Sequence, residues 1–209
     1  STKCIACEPG TISGEQASFC TPCGSGFFTE DFGDTNCDFC ESGTFSTPGS
    51  RNCTDCEIGK AGTLQRVVCD VCTPGRYGDG VGFDECKDCV PGEYQPNLGS
   101  SECLECAEGR YSTQEAGVEC TSCGVGTFAN DTGLVDCYDC PPGYSQDQRG
   151  RTNCTACQRG EYALNFAQVD CQLCPPGRSG NDTAMTECVS CAPGLYTQSY
   201  GNTECNGCP

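Results

Sequence analysis

Thirteen Cys-x-x-Cys pairs run the length of this 209-residue chain, opening at Cys4, Cys20, Cys37, Cys53, Cys69, Cys86, Cys103, Cys120, Cys137, Cys154, Cys171, Cys188 and Cys205. Successive pairs stand 16 or 17 residues apart, and from Cys69 onward every step is 17. A fixed period of this length marks a repeat architecture, in which segments that cannot fold alone are stabilised by stacking. The composition says what holds such a stack. With a net charge of -18 and few aliphatic residues, a chain of this kind would stay disordered without cross-links. Its 26 cysteines supply them. Closing one loop of about 13 residues removes on the order of 3 kcal/mol of unfolded-chain freedom.

Within the period, a glycine stands three residues after the second cysteine of each of the first twelve pairs: Gly10, Gly26, Gly43, Gly59, Gly75, Gly92, Gly109, Gly126, Gly143, Gly160, Gly177 and Gly194. Such constancy calls for positive φ or for close approach of a neighbouring backbone. Two residues later comes an aromatic in most repeats, from Phe28 and Phe45 to Tyr196. Ile12, Ala61, Ser145 and Ser179 replace it elsewhere, with Tyr144 as a substitute one place early. A second glycine, as at Gly33, Gly82 and Gly150, marks a turn before the next pair. The Thr, Tyr, Phe and Val content between the glycines suits short strands, so each repeat reads as a small β-hairpin, with the aromatic packed on the adjacent disulfide or glycine. The expected fold is small and disulfide-rich: tandem β-hairpin repeats of about 17 residues in an extended rod or solenoid, with little helix and no conventional hydrophobic core. Repeats should touch only their immediate neighbours. No linker interrupts the pattern, so residues 1–209 form a single continuous array of about twelve repeats. The repeat between Cys56 and Cys69 departs most, having Lys60-Ala61 where others carry an aromatic and no second glycine at the usual place.

Cysteine at this density belongs to an oxidising compartment, so the protein is expected to be secreted and extracellular. No apolar run approaches the ~20 residues of a membrane span, and membrane insertion is not expected in this segment. The start lacks a signal-peptide pattern, and the chain reads as a mature form or as a segment of a longer one. The acidic balance argues against nucleic acid and anionic lipid as partners. Protein partners or self-assembly remain.

Cys-x-Pro-Gly-x-Tyr followed by a glycine and Cys-x-x-Cys resembles the ephrin-receptor-like cysteine-rich repeat, a relative of EGF-like and tumour-necrosis-factor-receptor modules. The residues that carry the likeness are Cys89-Val90-Pro91-Gly92-Glu93-Tyr94, Cys72-Thr73-Pro74-Gly75-Arg76-Tyr77 and Cys191-Ala192-Pro193-Gly194-Leu195-Tyr196. The likeness implies a disulfide pairing, because the C-terminal loop of an EGF-like module is closed by its two end cysteines. Carried over, this gives Cys7 with Cys20, Cys23 with Cys37, Cys40 with Cys53, Cys56 with Cys69, Cys72 with Cys86 and Cys89 with Cys103. The series continues with Cys106 and Cys120, Cys123 and Cys137, Cys140 and Cys154, Cys157 and Cys171, Cys174 and Cys188, and Cys191 and Cys205. Cys4 and Cys208 are then left for bonds to other repeats or other molecules. A first-to-third, second-to-fourth scheme, as in receptor modules, stays open beside it.

Other motifs have plainer readings. Zinc-ribbon spacing would need reduced thiolates, in conflict with a secreted chain. A thioredoxin-like role would need a helix N-terminus beside the pair. Four Asn-x-Ser/Thr sequons, at Asn52, Asn130, Asn153 and Asn181, are expected N-glycosylation sites, with Asn130 and Asn181 three repeats apart in the same place. Acidic turns such as Glu30-Asp31-Phe32-Gly33-Asp34 lack calcium-loop spacing, so no cofactor is expected and at most weak Ca²⁺ binding. With no histidine and little interior to dry a carboxylate pair, the chain is not expected to be an enzyme. The expected role is structural: a stiff glycosylated spacer, or a filament or matrix subunit, at a cell surface or in an extracellular fibre. The alternative is a ligand-binding receptor or adhesion ectodomain. Its candidate face is the irregular repeat with Lys60, Leu64, Arg66, Val67 and Val68.

Overall fold

The computed structural model describes residues 6–15 and 17–208. Among these there is no helix, and the secondary structure is a succession of twelve two-stranded sheets. Nearly every strand is two residues long; Lys60–Gly62 and Cys69–Val71 have three. The chain gathers into two compact units. The first comprises Ser1–Cys89, Gln95–Leu104 and Glu115–Val118, and the second Val90–Tyr94, Glu105–Gln114 and Glu119–Pro209.

Each repeat is named below for the cysteine that opens its loop, from Cys7 to Cys191. The local chemistry starts at the Pro-Gly step. In Thr73-Pro74-Gly75-Arg76, the amide of Arg76 donates to the carbonyl of Thr73 at 3.0 Å, and Gly75 has φ of +83°. Proline second and a positive-φ glycine third is the pattern of a type II turn, in which an L side chain at the glycine position is strained. The turn throws the chain into a short strand that pairs with the two residues between the next two cysteines. In the second unit Thr127–Phe128 pairs antiparallel with Tyr138–Asp139, Phe128 facing Tyr138. The amide of Cys140 then closes the hairpin on the carbonyl of Gly126 at 2.9 Å.

In most repeats the buried line has a period of three. In the Cys123 repeat it is Cys123, Gly126 and Ala129, and both Cys123 and Ala129 are fully buried. The position six residues after the opening cysteine also holds Thr29, Ser46, Gln95, Ser112, Gln146, Ala163 and Thr197, all buried. These side chains are small, or polar and satisfied. Gln95 donates from Nε2 to the carbonyl of Glu102 at 2.7 Å and accepts from the amide of Asn97 at 3.0 Å, and Gln146 does the same with Asn153 and Gln148. Buried cystines with one such residue replace an apolar core.

Candidate functional site: the joint between repeats

Three backbone hydrogen bonds join one repeat to the next. Between the Cys106 and Cys123 repeats, the amide of Gly109 donates to Ala129 at 2.9 Å, that of Ser112 to Leu134 at 3.1 Å, and that of Gly133 back to Cys106 at 2.8 Å. The same set recurs along both units. It uses main-chain groups alone, so the identity of most side chains is irrelevant to it.

Contact does not stop at the next repeat, which corrects the expectation of immediate neighbours only. A Cβ on Gly109 would lie 2.3 Å from the carbonyl oxygen of Gly150, two repeats on. The equivalent distance is 2.2 Å from Gly126 to Ala167 and 2.1 Å from Gly75 to Ala116. From Gly10 to Gly160 the glycine therefore meets both conditions that exclude other residues, positive φ and an abutting carbonyl, while Gly177 and Gly194 meet only the first.

The oxygen that occupies this space belongs to the loop tip, where φ is again positive. Seven tips carry glycine, from Gly33 to Gly201, but Ala116, Ala167 and Ala184 adopt φ of +52°, +57° and +54°. These three bear the cost of a left-handed L residue, about 1 kcal/mol each or more. Their amides make the same bond to the cysteine two pairs back, 2.9 Å in each case.

Two joints are incomplete among the described residues. The Cys23 to Cys40 joint lacks one bond. The Cys40 to Cys56 joint keeps only Ser46 to Arg66, at 3.1 Å; the amide of Gly43 and the carbonyl of Cys40 find no backbone partner. The irregular tip explains the loss. Its turn closes tightly, Arg66 donating to Thr63 at 3.0 Å, and the positive φ of +56° falls on Arg66. The Arg66 guanidinium sits 4.1 Å above the ring of Phe39, which itself meets Phe27 edge-on at 4.8 Å. That cation–π contact offsets the backbone strain in part.

Twelve disulfides link Cys7 to Cys20, Cys23 to Cys37, Cys40 to Cys53, and so on to Cys191 with Cys205. Each closes one loop with sequence separation 13 or 14 and Cα–Cα near the 5.7 Å of Cys7–Cys20. Cys208 is exposed and free, while Cys4 lies outside the described residues. Asn52, Asn130, Asn153 and Asn181 are all exposed. At two of the sequons the middle aspartate accepts from the threonine amide at 3.0 Å, Asp131 with Thr132 and Asp182 with Thr183.

The aromatic slot rests on the disulfide of the following repeat, as its serine versions reveal. Ser145 Oγ lies 3.2 Å from Cys171 Sγ, and Ser179 Oγ 3.3 Å from Cys205 Sγ. Ser145, opposite Thr155, holds the slot in its repeat, and Tyr144 pairs with Ala156 one place away, so it does not substitute. Where serine replaces the ring, grooves of about 300 Å³ and 290 Å³ open beside the hairpin.

Surface charge is locally paired in the first unit. Arg76 meets Asp88 across a hairpin at 2.6 Å, and Lys87 meets Asp79 at 2.9 Å while lying 4.7 Å from the Phe83 ring centre. The hydrogen bond from Lys87 holds the Asp79 carboxyl below the ordinary carboxylate range, and the same bond raises Lys87. Glu57 is lowered likewise by its hydrogen bond from Lys60. Among the described residues no three His, Cys, Asp or Glu side chains gather as a metal site, and no helix is long and apolar enough to cross a membrane.

With this geometry in hand, the family model described as tyrosine-protein kinase ephrin type A/B receptor-like matches residues 75–118, 109–153 and 148–186. Together these cover more than half of the chain. The chain belongs to the ephrin receptor-like cysteine-rich repeat family. No curated protein matches it. The ephrin receptor-like repeats of the matched span share their disulfide pattern with the repeats before residue 75, which differ in the irregular joint. Family and disulfide density together make this an extracellular type of module.

Proposed function

We propose that the chain is a stiff, glycosylated spacer, or a filament or matrix subunit, working outside the cell. One observation carries this reading: the same backbone joint, built without side chains, recurs along both compact units. Iteration of one joint favours repetition and mechanical continuity over a single unique site. Each loop is also closed covalently, so tension passes through a cystine and not through a hydrogen-bonded turn. Asn130 and Asn181 are exposed at equivalent turns three repeats apart, and glycans attached there would stand in matching positions. Catalysis has no part in this reading, since the sequence has no histidine to serve as general base.

Single-molecule pulling tests the load-bearing role. An oxidised chain should extend only through the short segments between loops. Reduction should then release about 40 Å for each loop of this length at ~3.5 Å per residue. Unravelling at low force with every disulfide intact would refute the reading.

A further inference from the structure

The incomplete joint between the Cys40 and Cys56 repeats carries more than a lapse of regularity. A groove of about 380 Å³ lies at this place, lined among others by Gly43, Gly62, Leu64, Arg66, Asp84 and Glu85. Three separate features converge on it, all within the first compact unit. Leu64 is 97% exposed, the barest of the exposed large apolar side chains described. Gly43, buried in the wall, has an amide with no hydrogen-bond acceptor among the described residues. Asp84 and Glu85 have no ion-pair partner among the described residues, because the one cation lining the groove, Arg66, is spent on the Phe39 ring.

We propose that this groove is a docking site for an extended segment of a partner protein, in which an apolar residue is flanked by lysine or arginine. The apolar residue covers Leu64, which on a folded surface is otherwise left in water. The flanking cations meet Asp84 and Glu85, and a backbone carbonyl of the segment accepts from the Gly43 amide, in place of the bond that the neighbouring repeat supplies elsewhere. An acidic chain with net charge -18 also steers a cationic segment towards itself. A regular joint could not do this, because its amides and carbonyls are already consumed. The site does not depend on whether the array bears load, so the two proposals fail separately.

The probe is a synthetic peptide of alternating leucine and arginine, titrated into the isotopically labelled, fully oxidised 209-residue chain. Amide shifts should cluster at Ser42, Gly43, Gly62 to Arg66, Asp84 and Glu85. Leu64→Asp, at an exposed position and so without effect on folding, should weaken binding at least tenfold. The pair Asp84→Lys with Glu85→Lys should do the same, while Leu164→Asp, an exposed change in the second unit, should leave it unaltered. A glycine–arginine peptide of equal charge should bind at least tenfold more weakly. Shifts spread along all acidic turns, equal binding of the glycine–arginine peptide, or indifference to Leu64→Asp would each overturn the proposal.

Discussion

Two alanine substitutions separate the two reasons for the glycine in every repeat. Gly126 and Gly177 have nearly the same φ, +77° and +79°. A Cβ on Gly126 would sit 2.2 Å from the carbonyl oxygen of Ala167, whereas on Gly177 it would meet nothing within 4 Å. Gly177→Ala therefore costs only the left-handed conformation, about 1–2 kcal/mol, less about 0.4–1 kcal/mol returned through a less mobile unfolded chain. Gly126→Ala has the same balance and must also push the Ala167 backbone away by about 1 Å to restore van der Waals contact. That movement strains the bonds from Ala167 to Cys140, 2.9 Å, and from Gly126 to Gln146, 2.7 Å. Two buried backbone bonds left poorly met add about 2–4 kcal/mol. Native-state hydrogen exchange with disulfides intact reads the difference locally. The Ala167 amide should lose protection by roughly 30- to 700-fold in Gly126→Ala, at a tenfold change per 1.4 kcal/mol. Equal costs for the two substitutions, or an Ala167 amide as protected as in the parent, would refute the close-approach argument.

Other outcomes follow from the same geometry. Ala116→Gly, Ala167→Gly and Ala184→Gly should each stabilise the fold by about 0.5–1 kcal/mol, seen as a raised denaturation midpoint, as strain at positive φ is relieved against the entropy of a freer unfolded chain. Arg66→Gly should gain less than these, because it also gives up the contact with Phe39. Ser145→Phe should fill the groove over the Cys157–Cys171 disulfide and stabilise by about 1 kcal/mol, measured by the same denaturation. For pH, the folded Asp79 pKa is depressed, so its contribution is present above the unfolded carboxylate value of about 3.9 and fades as pH falls through the lower folded value. Lys87 is raised, and its share fades only as pH climbs through that raised value, above about 10.4. Both groups are exposed, so the effect is small; a carboxyl titration by NMR should show Asp79 low in the parent and normal in Lys87→Met.

Much of the architecture is legible in the spacing of cysteine and glycine. A hairpin of this length, a turn at each glycine and little helix follow from a period too short for anything larger, and the described residues contain these hairpins and turns with no helix among them. The aromatic slot is legible too, although only Ser145 and Ser179 show what it rests on. The position six residues after each opening cysteine is not legible in the sequence because its occupants, Thr29, Gln95, Ala129 and Gly180 among them, share no chemistry. What they share is a place on a period of three, which neither helical nor strand periodicity would pick out. Ala116, Ala167 and Ala184 hid three turn tips for a related reason: the tertiary bond to a cysteine carbonyl overrides the preference for glycine there. The irregular repeat is marked in the sequence by its missing glycine and aromatic. Its consequence, a joint reduced to one bond, depends on partners far off in sequence and could not be read from it.

A joint made of main-chain atoms and one abutting carbonyl has no handedness of identity: any regular repeat fits any other regular one. Duplication or loss of one repeat would leave both flanks with the same mating surfaces they had before. Length is therefore a quantity that such a gene can change in single steps, without first inventing a new interface. The outward side chains meanwhile are free to drift towards whatever the surroundings select.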